Sequence, residues 1–123
     1  MEKLVFIVDD NETNLAAGAA ALEDEYKVHT MTSAKKMFDL MELFNEIPDL
    51  ILLDVEMPEM NGLNAIVELK KREKWQYIPV VFLTGWADEG LKFDAEGLGA
   101  DAVIGKPFDP AALLECVRKY IEV

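Results

Sequence analysis

Hydrophobic positions along the chain fall into short blocks separated by longer periodic stretches. Leu4-Val5-Phe6-Ile7-Val8, Leu50-Ile51-Leu52-Leu53 and Pro79-Val80-Val81-Phe82-Leu83 are unbroken apolar runs of strand length. Such runs predict strands covered on both faces, as in a parallel sheet. Lys27 to Met31 alternates more and predicts an edge strand, and Ala102-Val103-Ile104 predicts a weak last one.

The stretches between them carry helical signals. Asn14 to Glu25 is alanine-rich, a strong helix former. Ser33 can cap a helix with Met37, Leu40, Met41 and Phe44 on one face. Leu63 to Lys74 places Leu63, Ile66, Val67 and Leu69 inward and gathers cations at its carbonyl end. Asp88 can start a helix reaching Leu98, with Gly90 and Gly97 inside it. Each glycine costs about 1 kcal/mol against alanine, which makes this the least stable helix. Asp109-Pro110 is a clean start signal for a last helix burying Leu113, Cys116, Val117 and Ile121. The expected architecture is therefore β-α repeated five times: one doubly wound α/β domain with a parallel sheet.

Length and composition narrow the function. At 123 residues the chain is one ordinary domain, expected to span 1–123. With 51% hydrophobic and 29% charged residues it can build a core. A net charge of −12 argues against direct nucleic-acid binding and against adhesion to anionic membranes. The lone Cys116 excludes an internal disulfide and a cysteine zinc site. No run is long enough to span a bilayer, and none reads as a signal peptide. A cytoplasmic location is the expectation.

The candidate chemistry lies at strand ends. Asp9 and Asp10 follow the first strand, Asp54 the third, Thr84 the fourth, and Lys106 comes just after the fifth. Ligands of open parallel sheets bind at the carboxyl ends of strands. If the first and third strands are neighbours, Asp9, Asp10 and Asp54 converge, flanked by Thr84 and Lys106. Three converging carboxylates repel, so either some stay protonated or a cation sits among them. A hard divalent ion such as Mg²⁺ suits oxygen ligands. A carboxylate nucleophile, a metal, a lysine and a hydroxyl donor together suit phosphoryl transfer.

Four segments carry a family resemblance. Val8-Asp9-Asp10 resembles the first motif of response-regulator receiver domains. Leu52 to Gly62 resembles their phosphoacceptor segment, Phe82-Leu83-Thr84-Gly85 their switch-hydroxyl segment, and Lys106-Pro107-Phe108 their lysine-proline motif. The resemblance runs through essentially the whole chain. It implies a flavodoxin-like (βα)5 sheet in the order 2-1-3-4-5, which is that of chemotaxis receivers. It implies that Asp54 accepts the phosphoryl group, and that Asp10 and Asp54 ligate Mg²⁺ directly with Asp9 acting through water. The backbone carbonyl of Glu56 is the implied third protein ligand. Thr84 is implied to bond a phosphoryl oxygen, Lys106 to pair with Asp54, and the Lys106-Pro107 bond to be cis. Glu56 and Trp86 are implied to flank the route of the hydrolytic water, where the Trp86 indole could exclude it.

The implied function is a phosphorylation switch in a two-component system or phosphorelay. Its donor is a sensor histidine kinase or a histidine phosphotransfer protein, and its output goes to an effector. It assists its own phosphorylation and hydrolysis but is not a metabolic enzyme. His29, the only histidine, is given no catalytic role. Many receivers have an aromatic ring three residues before the motif lysine; here that position is Val103. The main alternative is a metal-dependent phosphatase with an aspartyl nucleophile. That family needs a second Asp two residues after the first, where this chain has Glu56. A flavodoxin-like cofactor binder would need a phosphate loop in place of Asp9-Asp10-Asn11-Glu12. A binding-only receiver would not need Asp10, Asp54, Thr84 and Lys106 together. The chain's end at Val123 is compatible with a complete regulator and with one domain of a longer protein.

Overall fold

A computed structural model describes residues 2–121. Five strands, β1 (Leu4–Val8), β2 (Lys27–Met31), β3 (Leu50–Asp54), β4 (Val80–Thr84) and β5 (Ala102–Gly105), form one sheet. All neighbours pair in parallel in the order β2-β1-β3-β4-β5. The intervening helices are α1 (Glu12–Leu22), α2 (Ala34–Leu43), α3 (Gly62–Lys70), α4 (Glu89–Gly97) and α5 (Pro110–Ile121). The doubly wound reading and its strand order both hold.

Side-chain alternation along the strands makes two cores. Val5, Ile7, Leu50, Leu52, Val81 and Leu83 face α1 and α5, where they meet Leu15, Leu22, Leu113 and Val117. Phe6, Val8, Ile51, Leu53, Val80 and Phe82 face the opposite way, against Met37 and Met41 of α2 and Ala65, Ile66 and Leu69 of α3. Burial of both faces explains why β1, β3 and β4 read as unbroken apolar runs. As expected, β2 is an edge strand, and β5 lies at the other edge.

Three helix readings need correction. The first helix runs from Glu12, capped by the Asn11 side chain, and stops at Leu22 rather than Glu25. Glu23, Asp24 and Glu25 are the wrong sign for its carbonyl end. Phe44 does not join the buried face of α2. It follows the last helical residue and is 70% exposed. Asn45 then turns the chain at φ 54, a conformation asparagine tolerates better than most residues. The third helix ends at Lys70, and tighter turns to Trp75 follow. Those turns bury the Trp75 indole, with the Arg72 guanidinium 4.8 Å from its ring centre. Within α3, Val67 faces outward and Ala65 takes an inward position.

Helix α4 starts as expected, with the Asp88 carboxylate accepting from the Leu91 N–H at 2.8 Å. It buries only Ala95. Hydrophobic burial is the main anchor of a helix this short, so α4 is the most weakly held of the five. His29 lies on β2, 2.6 Å from Glu46 and stacked on Phe6, away from the strand ends that hold the acidic cluster.

Candidate functional site

The alternation that builds the two cores also sorts the strand-end residues. Asp9 continues the Val5-Ile7 side of β1, Asp54 the Leu50-Leu52 side of β3, and Lys106 the Ala102-Ile104 side of β5. These three therefore rise on the α1/α5 side of the sheet. Thr84 continues the Val80-Phe82 side of β4, toward α2, α3 and α4. The strand pairing brings the four to one edge.

Lys106 is the centre of the charge network. Its Nζ lies 2.9 Å from Asp54 Oδ1 and 3.2 Å from Asp9 Oδ2. Asp9, Asp54 and Thr84 are the buried polar residues among those described. Asp9 also accepts from the Asn11 N–H at 2.9 Å, and Asp54 from the Glu56 N–H at 3.2 Å. The Lys106-Pro107 bond is cis.

Burial, helped by the Asp9 charge, raises the Asp54 carboxyl to about 7, against the hydrogen bond and charge of Lys106 that pull it down. Burial alone would lower the Lys106 ammonium, but the hydrogen bond and charge of Asp54, with those of Asp9, outweigh it and raise its value. One carboxylate oxygen from each of Asp9, Asp10 and Asp54 lies within 4.8 Å of the others. Asp10 is the exposed member of that group. One lysine is a weak counterweight to three converging carboxylates. An all-oxygen donor set short of positive charge fits a hard divalent cation.

The loop after β3 is pinned by a close approach. Gly62, the first residue of α3, donates its N–H to the Val55 carbonyl at 3.0 Å. A Cβ on Gly62 would lie 2.5 Å from the Asp54 carbonyl oxygen. Only glycine lets α3 start so close to the end of β3.

Glu56 takes a position that the sequence reading did not foresee. Its side chain crosses to the end of β4, where Oε2 accepts from the Thr84 hydroxyl at 2.6 Å and Oε1 from the Gly85 N–H at 3.1 Å. The Trp86 N–H in turn donates to Thr84 Oγ1 at 3.0 Å. The sequence signal for this Glu56 contact was faint, since Thr84 closes β4 but Glu56 comes two residues past the end of the neighbouring β3. The family resemblance implies a role for Glu56 only through its backbone carbonyl and along the path of water. The Trp86 indole is 74% exposed and donates to Asp88 at 3.0 Å. Its ring is thus tied to the start of α4 and stands in solvent rather than packed as a cover.

The family model described as the response regulator receiver domain matches residues 5–118. The chain belongs to the response-regulator receiver family. It is 33% identical over 122 residues to the polar-differentiation response regulator DivK of Brucella ovis, covering 98% of each chain. Among solved structures it resembles a CheY-like receiver domain protein from Methanospirillum hungatei, with a TM-score of 0.88 and 28% identity. That likeness covers 99% of this chain and 95% of the other. It also resembles the chemotaxis protein CheY4 of Vibrio cholerae, with a TM-score of 0.88, 25% identity, and 98% and 99% of the two chains covered.

This receiver domain is a phosphoacceptor of two-component signalling and works as a switch. Nothing in these likenesses supports the aspartyl-phosphatase alternative. Receivers typically bind Mg²⁺ in an acidic pocket, and this chain has such an Asp cluster. They interact with histidine kinases or phosphotransfer proteins and with effectors. Among the described residues no helix is long and apolar enough to cross a membrane.

Proposed function

We propose that the whole chain, 1–123, is one receiver domain and that Asp54 is its phosphorylated residue. The observation that carries this is the placement of Asp54. It is a buried carboxylate closing a central strand, 2.9 Å from Lys106 and within reach of Asp9 and Asp10. A carboxylate oxygen of Asp54 attacks the phosphorus of a partner's phosphohistidine. The new O–P bond forms as the P–N bond breaks, and the imidazole leaves with the electron pair.

In this reading Asp10 and Asp54 would hold Mg²⁺ directly and Asp9 through water, and the Glu56 carbonyl would supply a further oxygen. When bound, the ion offsets the charge of the carboxylates and of the incoming phosphoryl group. Lys106 moves its contact from the Asp54 carboxylate to a phosphoryl oxygen, and the Thr84 hydroxyl donates to another. The same groups support hydrolysis of the acyl phosphate, so the domain resets itself. The donor is a cytoplasmic sensor kinase or histidine phosphotransfer protein, and the output runs through the Trp86–Gly90 backbone and α4.

Mass spectrometry after incubation with acetyl phosphate and Mg²⁺ tests the assignment. One base-labile phosphoryl group is expected on the wild-type chain and none on Asp54→Asn. Equal labelling of the two would overturn it.

A further inference from the structure

The Thr84 hydroxyl has one proton to donate, and so does the Gly85 amide. Both are spent on Glu56, at 2.6 Å and 3.1 Å. Thr84 is completely buried beneath this contact, whereas Glu56 is exposed. A carboxylate with two oxygens, each bonded to one donor at the end of β4, has the charge and acceptor pattern of two oxygens of a phosphoryl group. The two donors at the end of β4, the strand paired with that of Asp54, are therefore already held by an anion from the protein itself.

We infer that the Glu56 carboxylate is an internal stand-in for the phosphoryl group, which must leave Thr84 and Gly85 before a phosphoryl oxygen can take them. This rests on the assignment of Asp54 as phosphoacceptor and adds a competitor to it. The two states exclude each other because each donor has a single proton. Exchange is feasible because Glu56 is at the surface, so its carboxylate swings into water without being stranded in an apolar environment. The contact also straps the loop after β3 to the end of β4. Its release would free the Gly85–Trp86 backbone at the moment Asp54 is occupied. Glu56 is thus a positioning residue that sets how readily the site accepts an anion, and it does not touch the reacting phosphorus.

Two accounts of a Glu56 effect must be separated. Loss of a negative charge near the site would favour any incoming anion through space. Loss of the stand-in would favour it only by freeing the donors. Glu56→Asp separates them, because it keeps the charge on a side chain one methylene too short to bridge both donors.

The test is the binding midpoint of beryllofluoride with Mg²⁺, measured in the full chain by the change in tryptophan emission. Wild type, Glu56→Ala, Glu56→Asp, Thr84→Ala, the Glu56→Ala/Thr84→Ala double variant and Asp54→Asn are compared. Glu56→Ala and Glu56→Asp are both expected to bind about tenfold tighter, the scale of one charge-assisted hydrogen bond lost from the resting state. In the Thr84→Ala background the gain from removing Glu56 should shrink severalfold, because the contested hydroxyl is gone. Tighter binding by the alanine variant alone would show a charge effect and overturn the inference. Equal midpoints for wild type and both Glu56 variants would overturn it as well. A wild type indistinguishable from Asp54→Asn would instead remove the Asp54 assignment, and the stand-in with it.

Discussion

Replacing Asp54 by asparagine should favour the metal-free fold increasingly as pH rises. The Asp54 carboxyl is raised from its ordinary 3.8 to about 7 because the folded chain buries it. Between those values the unfolded chain has lost this proton while the native site still holds it. The native state then binds more protons, and its stability falls as pH rises through that window. At ~1.4 kcal/mol per pH unit the full cost of ionising the buried carboxyl is roughly 4 kcal/mol, complete once the pH exceeds the folded value. Lys106 does not offset this within the window. Its own value is raised, so its contribution stays present throughout and fades only under strongly alkaline conditions.

Asparagine keeps the shape and has no charge to lose. It weakens the contact with Lys106 Nζ, which retains Asp9 at 3.2 Å. That loss, about 1–3 kcal/mol, displaces the variant's whole curve without giving it the pH slope of a titrating carboxyl. The assay is urea unfolding of both proteins in chelator, from about pH 4.5 to about pH 8. The stability difference, variant minus wild type, should rise across the range by a few kcal/mol, up to roughly 4, and level off above neutrality. A difference that is flat, or that falls with pH, would refute the claim that burial of an ionising Asp54 governs the energetics of this site.

Millimolar Mg²⁺ should raise the wild-type melting temperature more above neutral pH than below it, because it binds the ionised cluster. The shift should be lost in Asp10→Ala, and an equal shift in that variant would place the ion elsewhere. Gly62→Ala should destabilise the fold by about 1–3 kcal/mol, since its Cβ would meet the rigid Asp54 backbone 2.5 Å away. Chemical denaturation measures this, and a neutral substitution would show that the loop yields freely. Beryllofluoride with Mg²⁺ should change hydrogen-exchange protection across residues 86–98. Helix α4 buries only Ala95, and Val103, stiff at χ1, cannot relay a movement of Thr84 as a turning aromatic ring would. Unchanged protection there with Asp54 occupied would eliminate the backbone route.

The strands and the residues at their ends were legible because both follow from short-range hydrophobic pattern, whereas the strand order came from the family resemblance. Unbroken apolar runs name the central strands, and the first polar residue past each run must lie at the sheet's edge. Asp9, Asp54, Thr84 and Lys106 were all found in this way. Helix ends were less legible, since the apolar spacing of α2 runs on through Phe44, and the charged residues after α1 and α3 suit an exposed helix face as well as a helix end. The acidic run Glu23 to Glu25 opposes continuation of α1, and α2 gives way at Phe44, its C-cap, just before the left-handed Asn45. The role of the Glu56 side chain was the least accessible of all. It lies past the end of β3, where alternation no longer assigns a side, and its partners are twenty-eight and twenty-nine residues away on β4 and just after it.

That contact gives the site its logic across the sheet. Asp9, Asp54 and Lys106 belong by alternation to the α1/α5 side, and Thr84 to the side of α2, α3 and α4. A charge placed on Asp54 acts first on Lys106, on its own side. To reach the weakly anchored α4 it must also act on Thr84, on the other side, and Thr84 is tied across the strand ends to Glu56. The buried hydroxyl is therefore where the two faces meet, and on the proposed reading the carboxylate that holds it sets the threshold for passing a signal between them.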